Sequence, residues 1–404
     1  MSKFTFVRNN DKIYAFGRND SGQLGLGHNK NQNMPQLLKL FDISVSQIIC
    51  GGHHTMILTT SNDLYVCGYN YYGQLGLVGL GCADDQYIPR VLKLYQIISQ
   101  VACGYCYTII LTESNYLYVF GRNACGQLGL GNYVHKKKPK LLEPGKIINQ
   151  IACGADHMVI LTESNEIYVC GCNTSGQLGL GHNVDQCIPQ LLKYKQLVNR
   201  VACGGNHTII LTESNEVYVF GSNTKGQLGL GHNVDQNTPQ LLKIDGIIDQ
   251  ISCGGRHTVI LTETDNIYVF GRNNCGQLCL GHNICQNTPQ LLALNIQISQ
   301  ISCGENHTMI LTISNDVYCF GANEYGQLGL GHNLDQNTPI LLPIKATSLM
   351  NQNLPTAWTP KTHQKFPKKI RNLVIMFMMI NKYYIRPDLK VPKFVCFEII
   401  KKCV

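Results

Sequence analysis

The string Gly-Gln-Leu-Gly-Leu begins at Gly22, Gly126, Gly176, Gly226 and Gly326. A copy with an irregular sequel occupies residues 73–77, and a variant occupies 276–280, where Cys279 stands in place of a glycine. The seven copies are separated by 51, 53, 50, 50, 50 and 50 residues. A repeat of about 50 residues constrains the fold before any single side chain does, because stacked units share one continuous core. It also means that a motif present in every copy reads first as architecture, and only then as chemistry.

At 404 residues the chain would ordinarily suggest two or three domains, a prior that the repeat overrides. Within one repeat, Val201-Ala202-Cys203-Gly204 is a short apolar run ending in glycine. His207–Thr212 is a second run rich in β-branched residues, and residues 217–220, closed by Gly221, are a third. Pro239-Gln-Leu-Leu-Lys243 forms a fourth short segment after a glycine-containing connection. Four short runs separated by turn residues predict four strands. No stretch offers helical periodicity over ten or more residues. The second and third runs are apolar on both faces, so the sheet they form has to be covered on both sides. The predicted fold is all-β: a seven-bladed β-propeller of four-stranded antiparallel blades over residues 1–344, followed by an irregular C-terminal extension at 345–404.

The phase of the repeat raises the question of closure. Residues 4–7 align with the second strand of later repeats and 13–16 with the third, so the first blade lacks its inner strand. The expectation is that a segment after Pro343 supplies it. Residues 345–351 match the inner-strand consensus poorly, while 373–380 and 394–400 could serve through a longer loop.

The net charge of +8 is carried by the end of the chain. From residue 361 onward there are eleven Lys and Arg against Asp388 and Glu398, which leaves the repeats near neutral. Lys368, Lys369 and Arg371 lie in Pro367-Lys-Lys-Ile-Arg371, a minimal nuclear-import pattern. Such a cluster could also meet nucleic-acid phosphates or an acidic membrane surface, or keep lysines in water around apolar residues that pack on the propeller. The nineteen cysteines follow the repeat instead of a disulfide framework: Cys50, Cys103, Cys153, Cys203, Cys253 and Cys303 occupy one equivalent position. The first residues hold no signal-peptide core, and no apolar run approaches the ~18–20 residues that span a bilayer. These features predict an intracellular protein, cytoplasmic or nuclear, in a reducing compartment.

Two recurrent motifs invite a chemical reading. Gly221-x-Asn-x-x-Gly226 looks like a phosphate cradle, but no helix follows it, and it occurs in every blade. Its glycines are expected to supply positive φ at a strand end and in the following turn. Cys203-x-x-x-His207 offers metal ligands, yet a structural zinc site needs about four donors together and each blade presents two. His182, His232, His282 and His332 are likewise one per blade. The Ser214-Asn215 type of pair suits a tight turn. No cofactor, metal or catalytic constellation is expected.

The repeats differ in the x-x positions of Cys-Gly-x-x-His and Gly-x-Asn-x-x-Gly. In an antiparallel blade both turns open on the same side, so these positions form one ring on one face. That ring carries Arg18, Arg122, Arg256 and Arg272, the aromatics Tyr69, Tyr71, Tyr72, Tyr105 and Tyr325, and the acids Asp156 and Glu324. Arg and Tyr are enriched at binding hot spots, so the ring is either a partner-binding face or a solvated rim.

The residues Val201-Ala-Cys-Gly-Gly-Asn-His-Thr208 and Gly221-Ser-Asn-Thr-Lys-Gly-Gln-Leu-Gly-Leu-Gly231 resemble the repeats of the regulator of chromosome condensation family, over roughly 4–343. The resemblance implies a seven-bladed propeller. It also implies a range of roles: a nucleotide-exchange factor for a nuclear small GTPase, domains of large ubiquitin ligases, a plant ultraviolet photoreceptor and secreted enzyme inhibitors. Fold alone does not choose among them. The photoreceptor role requires clustered tryptophans, and the one tryptophan, Trp358, lies outside the repeats. The exchange role implies a wedge inserted in one blade; the insertion at 78–80 is too short for a β-hairpin. The reading is therefore a monomeric, non-enzymatic protein-interaction propeller, a scaffold or adaptor, with a protein partner and no cofactor. The alternatives are a guanine-nucleotide exchange factor for a Ran-like small GTPase, and tail-mediated binding to nucleic acid or a membrane surface.

Overall fold

Residues such as Ile209-Ile210-Leu211 and Val217-Tyr218-Val219-Phe220 are β-branched or aromatic, and glycine and Ser-Asn turns close the chain around them. The computed structural model describes residues 2–40, 43–77, 84–294 and 296–349. These residues form twenty-eight strands in seven antiparallel sheets of four, with no helix among them. In the blade of Val198–Cys203, His207–Thr212, Val217–Gly221 and Gln236–Leu242, the strands pair in chain order from the inside outward. The second strand is buried throughout, while the outer strand carries Pro239 at a position where an edge strand tolerates a missing N–H. The expected seven-bladed, all-β architecture is present.

The core lies between blades. Each of seven buried clusters joins the facing sides of adjacent sheets: Val259, Leu261 and Val269 of the sixth blade pack with Ile301, Ile310 and Phe320 of the seventh. Apolar residues on both faces of the strands are thus covered on both sides, as that composition requires.

Blade one is completed from the far end of the chain. Its inner strand is Ser348–Leu349, antiparallel to Phe4–Asn9, with Val7 opposite Leu349 and Arg8 opposite Ser348. The segment at 345–351 therefore supplies the inner position despite its poor match to the consensus, and residues 373–380 and 394–400 lie outside the described residues. The register is set by a side chain. The Gln300 amide donates to the Leu349 carbonyl at 3.0 Å and accepts from its N–H at 2.7 Å. Gln150 brackets Val201 in the same way, at 2.9 and 3.0 Å. The segment is held by burial of Ala346 and Leu349, by Gln300, and by the Thr347 N–H, which donates to the Arg8 carbonyl at 2.7 Å, contacts that do not require the inner-strand consensus.

The turn chemistry follows the expectation for glycine. Gly221 has φ 102°, Gly226 80°, Gly229 71° and Gly231 82°. Cys279, at the position of Gly229, is held at φ 60°, a conformation that disfavours any side chain with a Cβ. Asn215 also sits left-handed, at φ 67°, and its side chain binds the Gly246 carbonyl and the Ile248 N–H at 2.9 and 2.8 Å.

Candidate functional site

In every blade the two variable turns meet. The Ser222 N–H donates to the Asn206 carbonyl at 2.7 Å, and the same bond joins Arg18 to Lys3, Tyr69 to His53, Arg122 to Cys106, Cys172 to Asp156, Arg272 to Arg256 and Ala322 to Asn306. The long loop behind them is organised from within. Asn223 Nδ2 donates to the His232 and Val234 carbonyls, its Oδ1 accepts the Leu228 N–H, and its own N–H donates to Asp235. Gln227 Oε1 caps the Lys225 N–H at 2.9 Å. These residues recur because they build the loop. The histidine of Gly-His-Asn is exposed but bonds within the same loop: His232 Nδ1 accepts the Val234 N–H at 3.2 Å.

Towards the axis the blades are stitched by backbone. The N–H of Gly52 donates to Tyr105 O, Tyr105 to Ala155 O, Ala155 to Gly205 O, Gly205 to Gly255 O, Gly255 to Glu305 O and Glu305 to Ser2 O, at 2.8–3.2 Å. Beneath this annulus runs a girdle of buried histidines. His54, His157, His207, His257 and His307 each place Nε2 2.9–3.1 Å from a threonine of the next blade: Thr108, Thr208, Thr258, Thr308 and Thr5. Each of those threonines donates its hydroxyl to a glutamine carbonyl, so Nε2 carries the proton and Nδ1 is bare. Burial lowers these histidines to about 3 or 4, and they are neutral. The glycine of Cys-Gly-x-x-His is required sterically, since a Cβ on Gly204 would collide with the His207 ring. The girdle is thus packing. In the Cys-x-x-x-His pairs the histidine Nε2 is engaged by threonine, burial pushes the thiols of Cys153 and Cys303 up to about 12, and no disulfide joins the described cysteines.

Blade three departs from the girdle at Tyr107, and its neighbour departs with it. Tyr107 is fully buried, and its hydroxyl donates to the His157 carbonyl at 2.5 Å, while the threonine position of the next blade is Met158. A histidine at 107 would have no hydroxyl to bind.

The variable ring divides into groups. Across blades seven and one, Arg18 lies over the Tyr325 ring at 5.2 Å, Lys3 lies over the same ring at 5.2 Å and pairs with Glu324 at 3.4 Å, and Arg18 binds Asp20 at 2.5 and 2.8 Å. Across blades two and three, His53 touches Tyr105 at 4.9 Å and Tyr69 at 6.0 Å between ring centroids. Tyr69, Tyr71 and Tyr72 pack together, and Tyr72 meets His135 at 4.8 Å. Burial first, and the Arg18 charge second, lower His53 to about 4. Burial raises the Tyr105 phenol to about 12. Tyr71 is 65 % exposed and offers most of its ring to solvent. Arg122 pairs with Asp156, which also accepts from Gln127 at 2.6 Å. Arg256 and Arg272 share the sixth blade, from which Arg272 reaches Asn306 of the seventh at 3.4 Å, away from the aromatic groups. Lys368, Lys369, Arg371 and the insertion at 78–80 lie outside the described residues.

Lys3, Asp20, His53 and His135 belong with these groups but are not singled out by sequence reading. Lys3 occupies the x-x position of the blade that lacks its Cys-Gly signature, so alignment on the motif passes it by. A further group escapes for another reason. Cys125 Sγ, Cys172 Sγ and an Asp185 carboxylate oxygen lie within 4.8 Å of one another, at the junction of blades three and four. The donors come from three different repeat positions, so no single motif contains them. Its hydrogen bond from Cys125 holds the Cys172 thiol down at about 6, and Cys125 is raised in turn.

Residues 5–355 match the family model described as the RCC1-like domain. Among curated relatives, a probable E3 ubiquitin-protein ligase, HERC4 of Homo sapiens, is 40% identical over 121 residues, 29% of this chain and 11% of its own. A secretion-regulating guanine nucleotide exchange factor of Mus musculus is 40% identical over 120 residues, 29% of this chain and 25% of its own. The matched stretch thus spans a quarter or less of these relatives. Among solved structures, yeast RCC1 (Prp20) bound to Kap60 superposes with a TM-score of 0.75 at 21% identity, covering 86% of both chains.

Proposed function

The chain belongs to the RCC1-like domain family, and from that premise we propose that its propeller is a protein-interaction module which binds its partner through the rim of blades seven, one, two and three. The observation that carries this reading is asymmetry. The equivalent turns are nearly identical in backbone, yet Arg18, Tyr325, Tyr69, Tyr71, Tyr72 and Tyr105 gather on one side, while the fifth blade presents Asn206, Ser222, Thr224 and Lys225 at the same positions. Aromatic and guanidinium groups held by one another on a rigid backbone lose little entropy on binding. Buried Tyr107, the girdle and the loop asparagines offer no reactive group to solvent, so the reading includes no chemistry of the propeller's own.

The test is co-purification from cells that express the chain, with Arg18→Glu combined with Tyr71→Ala against Thr224→Glu, which sits at the position equivalent to Tyr71. The reading expects partners lost by the first variant and kept by the second. Partners kept equally by both would overturn it.

A second reading is nucleotide exchange on a small GTPase. Its support is the likeness to the mouse exchange factor. It predicts that the protein accelerates release of a fluorescent guanine nucleotide from a GTPase, and that Arg18→Glu slows the acceleration. Unchanged release across a panel of Ran-like GTPases leaves the interaction module alone.

A further inference from the structure

Equivalent positions recur at the junctions between blades: the last x of Gly-x-Asn-x-x-Gly on one blade, the first x on the next, and the residue of the next long loop that caps its asparagine. Between blades four and five these are Ser175, Ser222 and Asp235. Between blades six and seven they are Cys275, Ala322 and Asp335. Between blades three and four they are Cys125, Cys172 and Asp185, and this is the set of metal-ligating types that converges among the described residues.

We propose that Cys125, Cys172 and Asp185 form a binding site for a thiophilic divalent cation of the zinc class, with water as the fourth ligand. Two thiolates and a carboxylate satisfy a small borderline-soft ion. A tetrahedral ion with Zn–S of about 2.3 Å holds its sulfurs ~3.8 Å apart, and the three donor atoms already lie within 4.8 Å of one another. Each donor is fixed from behind. The Asn173 N–H donates to Asp185 Oδ1 at 2.7 Å and orients the carboxylate. The Cys125 N–H donates to Gln127 Oε1 at 3.0 Å, and the Cys172 N–H donates to Asp156 O at 2.8 Å. All three residues are half-buried, which leaves solvent access for an ion and a bound water. Because the donors come from two blades, an ion here would clamp the third blade to the fourth, the junction at which the girdle is interrupted by Tyr107 and Met158.

The experiment uses the full chain, reduced and stripped of metal, titrated with Co(II). The expected result is one equivalent bound with thiolate-to-cobalt charge-transfer absorption and the visible bands of tetrahedral Co(II). Cys125→Ser and Cys172→Ser each abolish that signal, Asp185→Asn weakens binding on the order of tenfold or more, and Cys275→Ser leaves it intact. Near-UV circular dichroism checks that the variants are folded. A second readout is the melting temperature, which Zn(II) raises in the parent chain and in Cys275→Ser but not in Cys125→Ser. Absence of charge-transfer absorption in the folded chain overturns the proposal. So does a signal that survives Cys125→Ser and Cys172→Ser together, or a Cys125–Cys172 disulfide that persists under reducing conditions in place of metal.

Discussion

Arg256 and His257 are neighbours in one turn, and they belong to two regions that obey opposite rules. His257 enters the girdle, where it is buried, bonds Thr308 of the next blade and covers Gly254 so closely that a side chain there would collide. Arg256 contributes its carbonyl to Arg272 and sends its side chain to solvent. The girdle repeats because each member has to fit the next blade as well as its own. The rim varies because its architecture is carried by backbone bonds that any residue can make. The difference teaches where to look for function in a repeat protein: one residue away from the most regular position, on the side that faces water.

The comparison breaks most severely where the inner ring is completed by a foreign segment. Leu349→Asp places a charge between Val7 and the Gln300 amide in a site that is 3% exposed. An unpaired buried charge costs several kcal/mol, so blade one should lose its inner strand. Thermal unfolding and proteolysis of the first strands would show it, whereas Tyr71→Ala on the rim should leave the melting temperature unchanged.

Acid is the second test. The five girdle histidines titrate at about 3 or 4 when folded, against 6.5 when free. The unfolded chain therefore binds more protons between these values, and stability is fully present above pH 6.5 and falls as pH drops towards 4. Each histidine contributes a slope of about 1.4 kcal/mol per pH unit. The slope of denaturant unfolding should be shallow near pH 7, steepen as pH falls through 6.5 and approach that of five girdle protons near pH 5, where His53 adds to it, and His257→Gln should reduce it by one.

Smaller still is the exchange at Tyr107. Tyr107→His removes the hydroxyl bond to His157 O and faces a ring N–H towards Met158, at a cost of about 1–3 kcal/mol. Met158→Thr restores the missing acceptor, so the double variant should recover much of the loss. A double-mutant cycle in urea should return a coupling of roughly 1 kcal/mol. The smallest effect is a gain. Cys279→Gly relieves a left-handed residue and should stabilise by up to about 1 kcal/mol, offset in part by the lost packing of its buried thiol.

Much of the fold was legible in the chain. Residues 201–243 contain four apolar runs and their punctuation, and the surplus of one loop motif over first-strand motifs pointed to closure from the far end. The positive φ values at Gly221 and Gly226 were legible from glycine placement. The closing strand is harder to read, because the segment is held by Gln300, by burial of two apolar residues and by backbone bonds to Arg8 and Asn315, none of which leaves a motif. The candidate rim was legible as a set of positions but not as groups. The sequence predicts that Arg18 and Tyr325 share a face; that Arg18 and Lys3 both lie over the Tyr325 ring depends on the ring being closed.

What the sequence determined alone is whatever one repeat can specify by itself: four strands, their turns, and the number of blades. These depend on local propensity and on a periodicity that any window reveals. What only the tertiary structure decided is the content of the junctions. There, a loop from one blade meets a strand end from the next, so Cys125 finds Cys172 and Asp185, and Tyr107 finds the His157 carbonyl. Those meetings follow from the rotation between adjacent sheets, which is set by the packing of buried faces and is written in no single repeat.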